Sequence, residues 1–211
     1  MKKVVFVFLL STLHWATNAQ DYAAQILQYR EGYKMSLMKG EHAMKPEDTG
    51  YLRFYTPDPA YRVKATFEQV TGTVPFRLGV KNKTGDFGPE VRDYGIVYFN
   101  MNGATITMHV YRIVTKPVFR ILARDIDKTD ENVILFIPFS DRTNYKETFG
   151  GGRYLDISAA ALQSGNVIID FNKGCNPHTA YEKRYPYIVP PNSLPIEINA
   201  GEKKFGHNPG Y

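Results

Sequence analysis

The chain has 211 residues, with 26 Lys+Arg against 21 Asp+Glu and a formal charge of +5. Setting aside the two lysines of residues 1–19 lowers the excess to 24 − 21 = +3. These charges are scattered, so they exclude the clustered basic face that a nucleic-acid backbone requires. A single cysteine, Cys175, excludes an internal disulfide, and an aromatic content of 14%, mostly Tyr and Phe, favours strands.

Met1 to Ala19 reads as a secretory signal: basic Lys2 and Lys3, an apolar run from Val4 to Leu10, and a small-residue exit at Thr17-Asn18-Ala19. The apolar run is too short to span a bilayer, and no cysteine follows it to carry a lipid. The expectation is an exported protein, periplasmic or secreted, without a stable membrane anchor and beginning near Gln20. Residues 20–211, 211 − 19 = 192 in all, suit a single domain with one sizeable core.

Asp21 to Lys39 carries Tyr22, Ile26, Tyr29, Tyr33 and Leu37 at three- and four-residue steps, which predicts a helix ended by Gly40, with Arg30, Glu31 and Lys34 on its solvated face. The period then changes to two. Tyr61 to Val70 reads as a half-buried strand with Val63, Ala65 and Phe67 inward. Asn102-Gly103 supplies the two positive-φ residues of a type I′ turn, so Val91–Met101 should pair with Ala104–Val114. That register sets Met101 against Ala104, Phe99 against Ile106, Val97 against Met108, Tyr98 against Thr107, Ile96 against His109 and Tyr94 against Tyr111. The face with Tyr94, Tyr98, His109 and Tyr111 either lines a cavity or lies under a covering segment.

Val118–Ala123 and Val133–Phe139 form a further candidate pair, the second apolar on both faces, with Pro138 near its end or at an edge. The acidic run Asp125 to Asn132 lacks the sixth-position glycine of a helix-loop-helix calcium site and reads as a solvated turn.

No nucleophile elbow, phosphate loop or dinucleotide fingerprint is present, so the catalytic residues, if any, are not identified and no cofactor is expected. His42, His109, His178 and His207 are too dispersed to ligate a metal and read as polar surface or turn residues. Cys175 has no sequence neighbour that would activate it, and reads as a small, partly buried side chain.

Family-like motifs run through the C-terminal half: Phe139-Ser140-Asp141, Glu147 to Asp156, Asp170-Phe171-Asn172, Asn176-Pro177, Ala180-Tyr181, Pro190-Pro191-Asn192, Leu194-Pro195 and Ala200-Gly201-Glu202-Lys203. With the Arg30 helix, Asp58 to Val63 and Tyr94-Gly95 upstream, the chain resembles the bacterial and archaeal family called domain of unknown function 1684 over essentially residues 20–211. The resemblance implies a domain of about this length and brings no activity, substrate or catalytic residue. Family members often carry a cysteine before the Ala-Tyr pair and another before the Pro-Pro pair. Thr179 and, approximately, Tyr187 stand there in this chain, which argues against paired-cysteine chemistry. The family usually has an aromatic where Cys175 stands.

Gly150-Gly151-Gly152 next to Arg153 suggest an anion-binding backbone hollow with a charged donor beside it. Tyr154 and Asp156 should share one side of an extended run, as should Asp170 and Asn172 after Val167-Ile168-Ile169. Arg153, Tyr154, Asp156, Asp170, Asn172, Asn176 and Tyr181 are therefore the candidate ligand-binding residues. The competing reading is that they brace the proline-rich backbone between Lys173 and Ser193, with Arg153 paired to Asp156 or Asp170.

The expected fold is mainly β: a curved antiparallel sheet forming a barrel or sandwich, one N-terminal helix, and a long irregular C-terminal segment packed over one end. The expected function is a binding module for a small polar or anionic ligand, its oligomeric state and partner proteins not legible. The alternatives are a hydrolase or lyase using Asp156 and Asp170 as acid and base, and a structural domain with no small-molecule site.

Overall fold

The computed structural model describes residues 4–39, 43–81, 90–114, 134–183, 185–191 and 193–206. Helix α1 (Val4–Leu37) precedes β1 (Arg62–Gln69), β2 (Phe76–Arg77), β3 (Val80–Lys81), β4 (Glu90–Met101), β5 (Ala104–Ile113), β6 (Ile134–Phe139), β7 (Arg153–Ile157), α2 (Ala159–Gln163), β8 (Val167–Asp170) and β9 (Tyr187–Ile188). The main sheet runs β7-β6-β5-β4-β1-β8, with β2 on β4, and β3 pairs with β9 apart from it. All strand pairings are antiparallel, and the sheet curls into a half-barrel.

The β4–β5 hairpin follows from its turn. Asn102 and Gly103 take φ of 50° and 75°, and Met101↔Ala104 through Ile96↔His109 pair in the expected register. Beyond Gly95 the register departs from expectation: Tyr111 faces Asp93, not Tyr94, because a bulge lies between Asp93 and Gly95. Gly95 permits this close packing, since a Cβ there would lie 2.4 Å from the Phe67 ring and 2.5 Å from Glu68 O. The bulge also settles the outer face. Tyr111 is buried between Phe76 and Phe136, whereas Tyr98 and His109 remain partly open.

Alternation in β1 is as expected, with Val63, Ala65 and Phe67 packed on the main core and Arg62, Lys64 and Thr66 exposed. In β6, Leu135, Phe136, Ile137 and Phe139 are all buried, because odd residues enter the core inside the curl and Phe136 enters a second core on the opposite face. Pro138 stands one residue from the strand end, beyond the last β5 pairing, where its missing N–H costs no ladder bond to β5. Val118–Ala123, the Asp125–Asn132 turn, Gly40, His42 and His207 lie outside the described residues.

Helix α1 presents Ile26, Tyr33 and Leu37 to the body, as its spacing requires. It begins earlier than the periodic stretch, and the expected processing point after Ala19 lies within it. No described helix is long and apolar enough to cross a membrane. Arg30 corrects the expectation of a solvated face. It is buried, with its guanidinium 4.7 Å from the Phe54 ring centre, because the body wraps further around the helix than the apolar stripe indicates. Burial lowers the affinity of Arg30 for its proton, while nearby Tyr22, Asp170 and Glu202 oppose that shift.

Candidate functional site

The half-barrel is open between its two end strands. Strands β7 and β8 do not pair; the single turn of α2 joins them, capped by Ser158 Oγ, which accepts from Ala161 N at 3.1 Å. One end of this seam is closed where Tyr154 and Cys175 exchange backbone hydrogen bonds of 2.8 and 3.0 Å. Further along β7 the seam stays open as a cleft of about 230 Å³, with Ile137, Leu155 and Ile169 at its base and Arg62, Asp156, Ser158, Asp170 and Lys173 among its lining.

Two of the expected site residues, Asp156 and Asp170, thus reach one cleft from opposite edges of the sheet. Asp170 is oriented by its neighbours: Oδ1 accepts from Tyr22 OH at 2.8 Å, Asn172 N at 3.1 Å and Asn172 Nδ2 at 3.2 Å. Asp170 Oδ2 has no partner among the described residues. Asn172 is a brace, with Nδ2 donating to Tyr22 OH and Asp58 O and Oδ1 accepting from Asp58 N. Arg62 sits beside Asp170 across the β1–β8 ladder, its guanidinium 6.0 Å from the Tyr22 ring centre. Burial and the Asp170 carboxylate hold the Tyr22 hydroxyl above its ordinary pKa, so it remains a donor.

Arg153 goes elsewhere. It is fully buried and pairs at 2.7 Å with Asp141, also fully buried, and not with Asp156 or Asp170. Its Nη1 and Nη2 also donate to the carbonyls of Ile198 (3.0 Å), Ala200 and Glu202 (3.5 Å), its buried Nε has no partner among the described residues, and its face lies 5.0 Å from the Phe139 ring centre. The Gly150–Gly152 stretch beside it is not an open hollow: Tyr145, Phe149, Tyr187 and Pro190 occupy the space where added Cβ atoms would stand. Tyr154 is likewise internal, its hydroxyl donating to Ile188 O at 2.9 Å and accepting from Ile188 N at 2.8 Å.

Asn176 and Tyr181 meet around a residue that the candidate list omits. Glu202 is fully buried and accepts from Asn176 N at 2.8 Å, from Tyr181 OH at 2.7 Å on Oε1 and 2.8 Å on Oε2, and from Tyr33 OH at 3.1 Å. Burial raises the Glu202 carboxyl to about 7, against the lowering effect of those donors. Burial also holds the Tyr33 and Tyr181 hydroxyls well above their usual range. The available signal was the inward Tyr33 of α1, whose hydroxyl needs a buried acceptor.

Six of the seven expected residues are therefore divided among three places: an open cleft (Asp156, Asp170 and the adjoining Asn172), a closed ion pair (Arg153), and a closed carboxylate cluster (Asn176, Tyr181). Tyr154 braces the second core. His178 is buried rather than on the surface, packed edge-on against Tyr185 at 4.4 Å between ring centres. Cys175 is buried, its thiol 3.5 Å from Tyr154 O. Among the described residues no cluster of three or more His, Cys, Asp or Glu side chains could hold a metal ion.

An antiparallel half-barrel with a covering helix, a bracing C-terminal segment and a small cleft at its seam defines the class structurally. The chain belongs to the family described as a protein of unknown function, DUF1684, whose model matches residues 49–203. It is similar to an uncharacterised protein of Haloarcula marismortui, solved by solution NMR, with a TM-score of 0.64 and 24% identity over 89% of this chain and 96% of that one. That likeness shows the fold alone. No match is found among curated proteins.

Proposed function

We propose that this is an exported binding module whose seam cleft takes a small polar or anionic molecule. The observation that carries the reading is that Asp156 and Asp170, on the two end strands, open on one cleft with Arg62 and Lys173 beside them. Hydroxyl or amine groups of a ligand would meet the carboxylates, and an anionic group would meet Arg62 and Lys173, in place of Arg153, which is buried against Asp141. Export rests on the order of basic, apolar and small residues in Met1–Ala19. Native mass spectrometry of protein purified from its own exported compartment tests it. A retained small molecule, lost from Asp156→Asn and Arg62→Ala, is expected; a bare wild-type chain, or a molecule retained equally by both variants, counts against the cleft.

The same carboxylate placement favours one second reading, a hydrolase or lyase with Asp156 and Asp170 as acid and base. Turnover of the retained molecule by wild type, abolished in a folded Asp156→Asn protein, would select the enzyme; release of the molecule unchanged selects the binding module.

A further inference from the structure

A second concavity, sharing no lining residue with the seam cleft, lies where the Asn102–Gly103 turn meets the C-terminal strap at residues 194–200. It is an open groove of about 550 Å³, within the size range of ligand sites, bordered by Tyr61, Asn102, Arg142, Glu197 and Asn199 over the buried Ile196.

Its walls are held from behind. Along the strap, Leu194, Ile196, Ile198 and Ala200 are buried while Pro195, Glu197 and Asn199 are exposed, the alternation of an extended chain. The inward-turned backbone is anchored by the buried ion pair: Arg153 takes the carbonyls of Ile198 and Ala200, Asp141 Oδ1 accepts from Ile198 N at 3.3 Å, and Arg142 N donates to Ile196 O at 3.0 Å. The network that removes Arg153 from the seam cleft therefore fixes Arg142 beside the strap. On the outward side, the main-chain N–H and C=O groups of Glu197 and Asn199, and the side chains of Arg142 and Asn199, have no hydrogen-bond partner among the described residues. Glu197 makes only a 3.4 Å surface contact with Lys146.

The chemistry of this wall selects the ligand. Donors and acceptors alternate, which suits hydroxyl groups that both donate and accept; planar amide, guanidinium and carboxylate edges match adjacent hydroxyls. The half-buried Tyr61 adds an aromatic surface for the apolar face of a ring. Arg142 is opposed by Glu197, so the groove does not favour an anion. Pro195 lacks an N–H, and two free residues make too short an edge for peptide strand addition. We infer that the groove binds a neutral oligosaccharide.

The test is amide shift mapping of the full chain with maltotriose, cellotriose and triacetylchitotriose, with inorganic phosphate as the charged control. At least one trisaccharide should give saturable shifts at Asn102, Gly103, Glu197 and Asn199 by about 10 mM, and phosphate none. The double substitution Arg142→Ala, Asn199→Ala should weaken binding about tenfold or more. Neither side chain has a hydrogen bond among the described residues, so the melting temperature should hold, whereas Asn102 is left in place because the hairpin turn needs it. Asp156→Asn should leave these shifts unchanged, which separates this groove from the seam cleft. Absence of shifts with all three sugars, shifts centred elsewhere, or undiminished binding by the double variant would overturn the inference.

Discussion

Replacing Glu202 by glutamine isolates the ionisation of the one fully buried carboxylate in the Tyr33–Tyr181 cluster. In the folded chain this carboxyl is raised from 4.5 to about 7. Below pH 4.5 it is protonated in both folded and unfolded chains, and its full contribution to stability is present. Between 4.5 and 7 the unfolded chain gains by ionising while the folded chain cannot, so stability falls as pH rises, and above 7 the loss is complete. A shift of about 2.5 units at 1.36 kcal/mol each is about 3 kcal/mol. For a domain of this size that corresponds to a melting-temperature change of about 6–12 °C. The substituted amide retains a carbonyl oxygen for Tyr181 and Asn176 but cannot ionise. Denaturant unfolding of both proteins from pH 4 to 8 should give a difference curve in which wild type loses about 3 kcal/mol relative to Glu202→Gln. Parallel pH profiles, or wild type gaining stability across that interval, would refute the assignment of Glu202 as a carboxyl whose ionisation is opposed by burial.

Removing one member of the Arg153–Asp141 pair leaves a buried charge, so Arg153→Met and Asp141→Leu should each cost about 3–5 kcal/mol, and the double variant less than their sum, as read by a denaturant double-mutant cycle. Gly201 and Gly72 have φ of 75° and 72°, yet a Cβ on Gly201 would lie 2.6 Å from Phe171 O and 2.7 Å from Gly174 O, whereas Gly72 faces open space. Gly201→Ala should therefore lower stability well beyond the roughly 1–2 kcal/mol expected for Gly72→Ala; equal losses in thermal melts would contradict the close packing. Expressed with its leader in an exporting host, the protein should have an intact mass beginning at Gln20, and a retained Met1 would dispose of the export proposal.

The local fold was legible wherever short-range chemistry decides it. Asn102-Gly103 dictates the hairpin and its pairings from Met101↔Ala104 to Ile96↔His109, and Tyr22 to Leu37 dictates the inward stripe of α1. Legibility ended at Gly95, because a bulge depends on Phe67 of the neighbouring strand, which no local pattern shows. The candidate site was partly legible for the same reason. Asp156 and Asp170 stood out beside apolar runs, and the unpaired seam brings them to one cleft. Arg153 stood out too, but its partner Asp141 comes from the loop after β6, and its Nη1 and Nη2 also donate to main-chain carbonyls of a strap at residues 198–202. Backbone acceptors carry no side-chain signature. Glu202 was not legible because its role lies in the hydroxyls of Tyr33 and Tyr181, which only the packed helix and C-terminal segment bring together.

Crystals of the protein soaked with a library of small polar acids, amines and polyols measure occupancy of the seam directly. Ligand density is expected between Asp156 and Asp170, with an acid group toward Arg62 or Lys173 and the seam emptied by Asp156→Asn. Density that collects elsewhere while the seam stays empty across the library would contradict the assignment of the seam as the binding site.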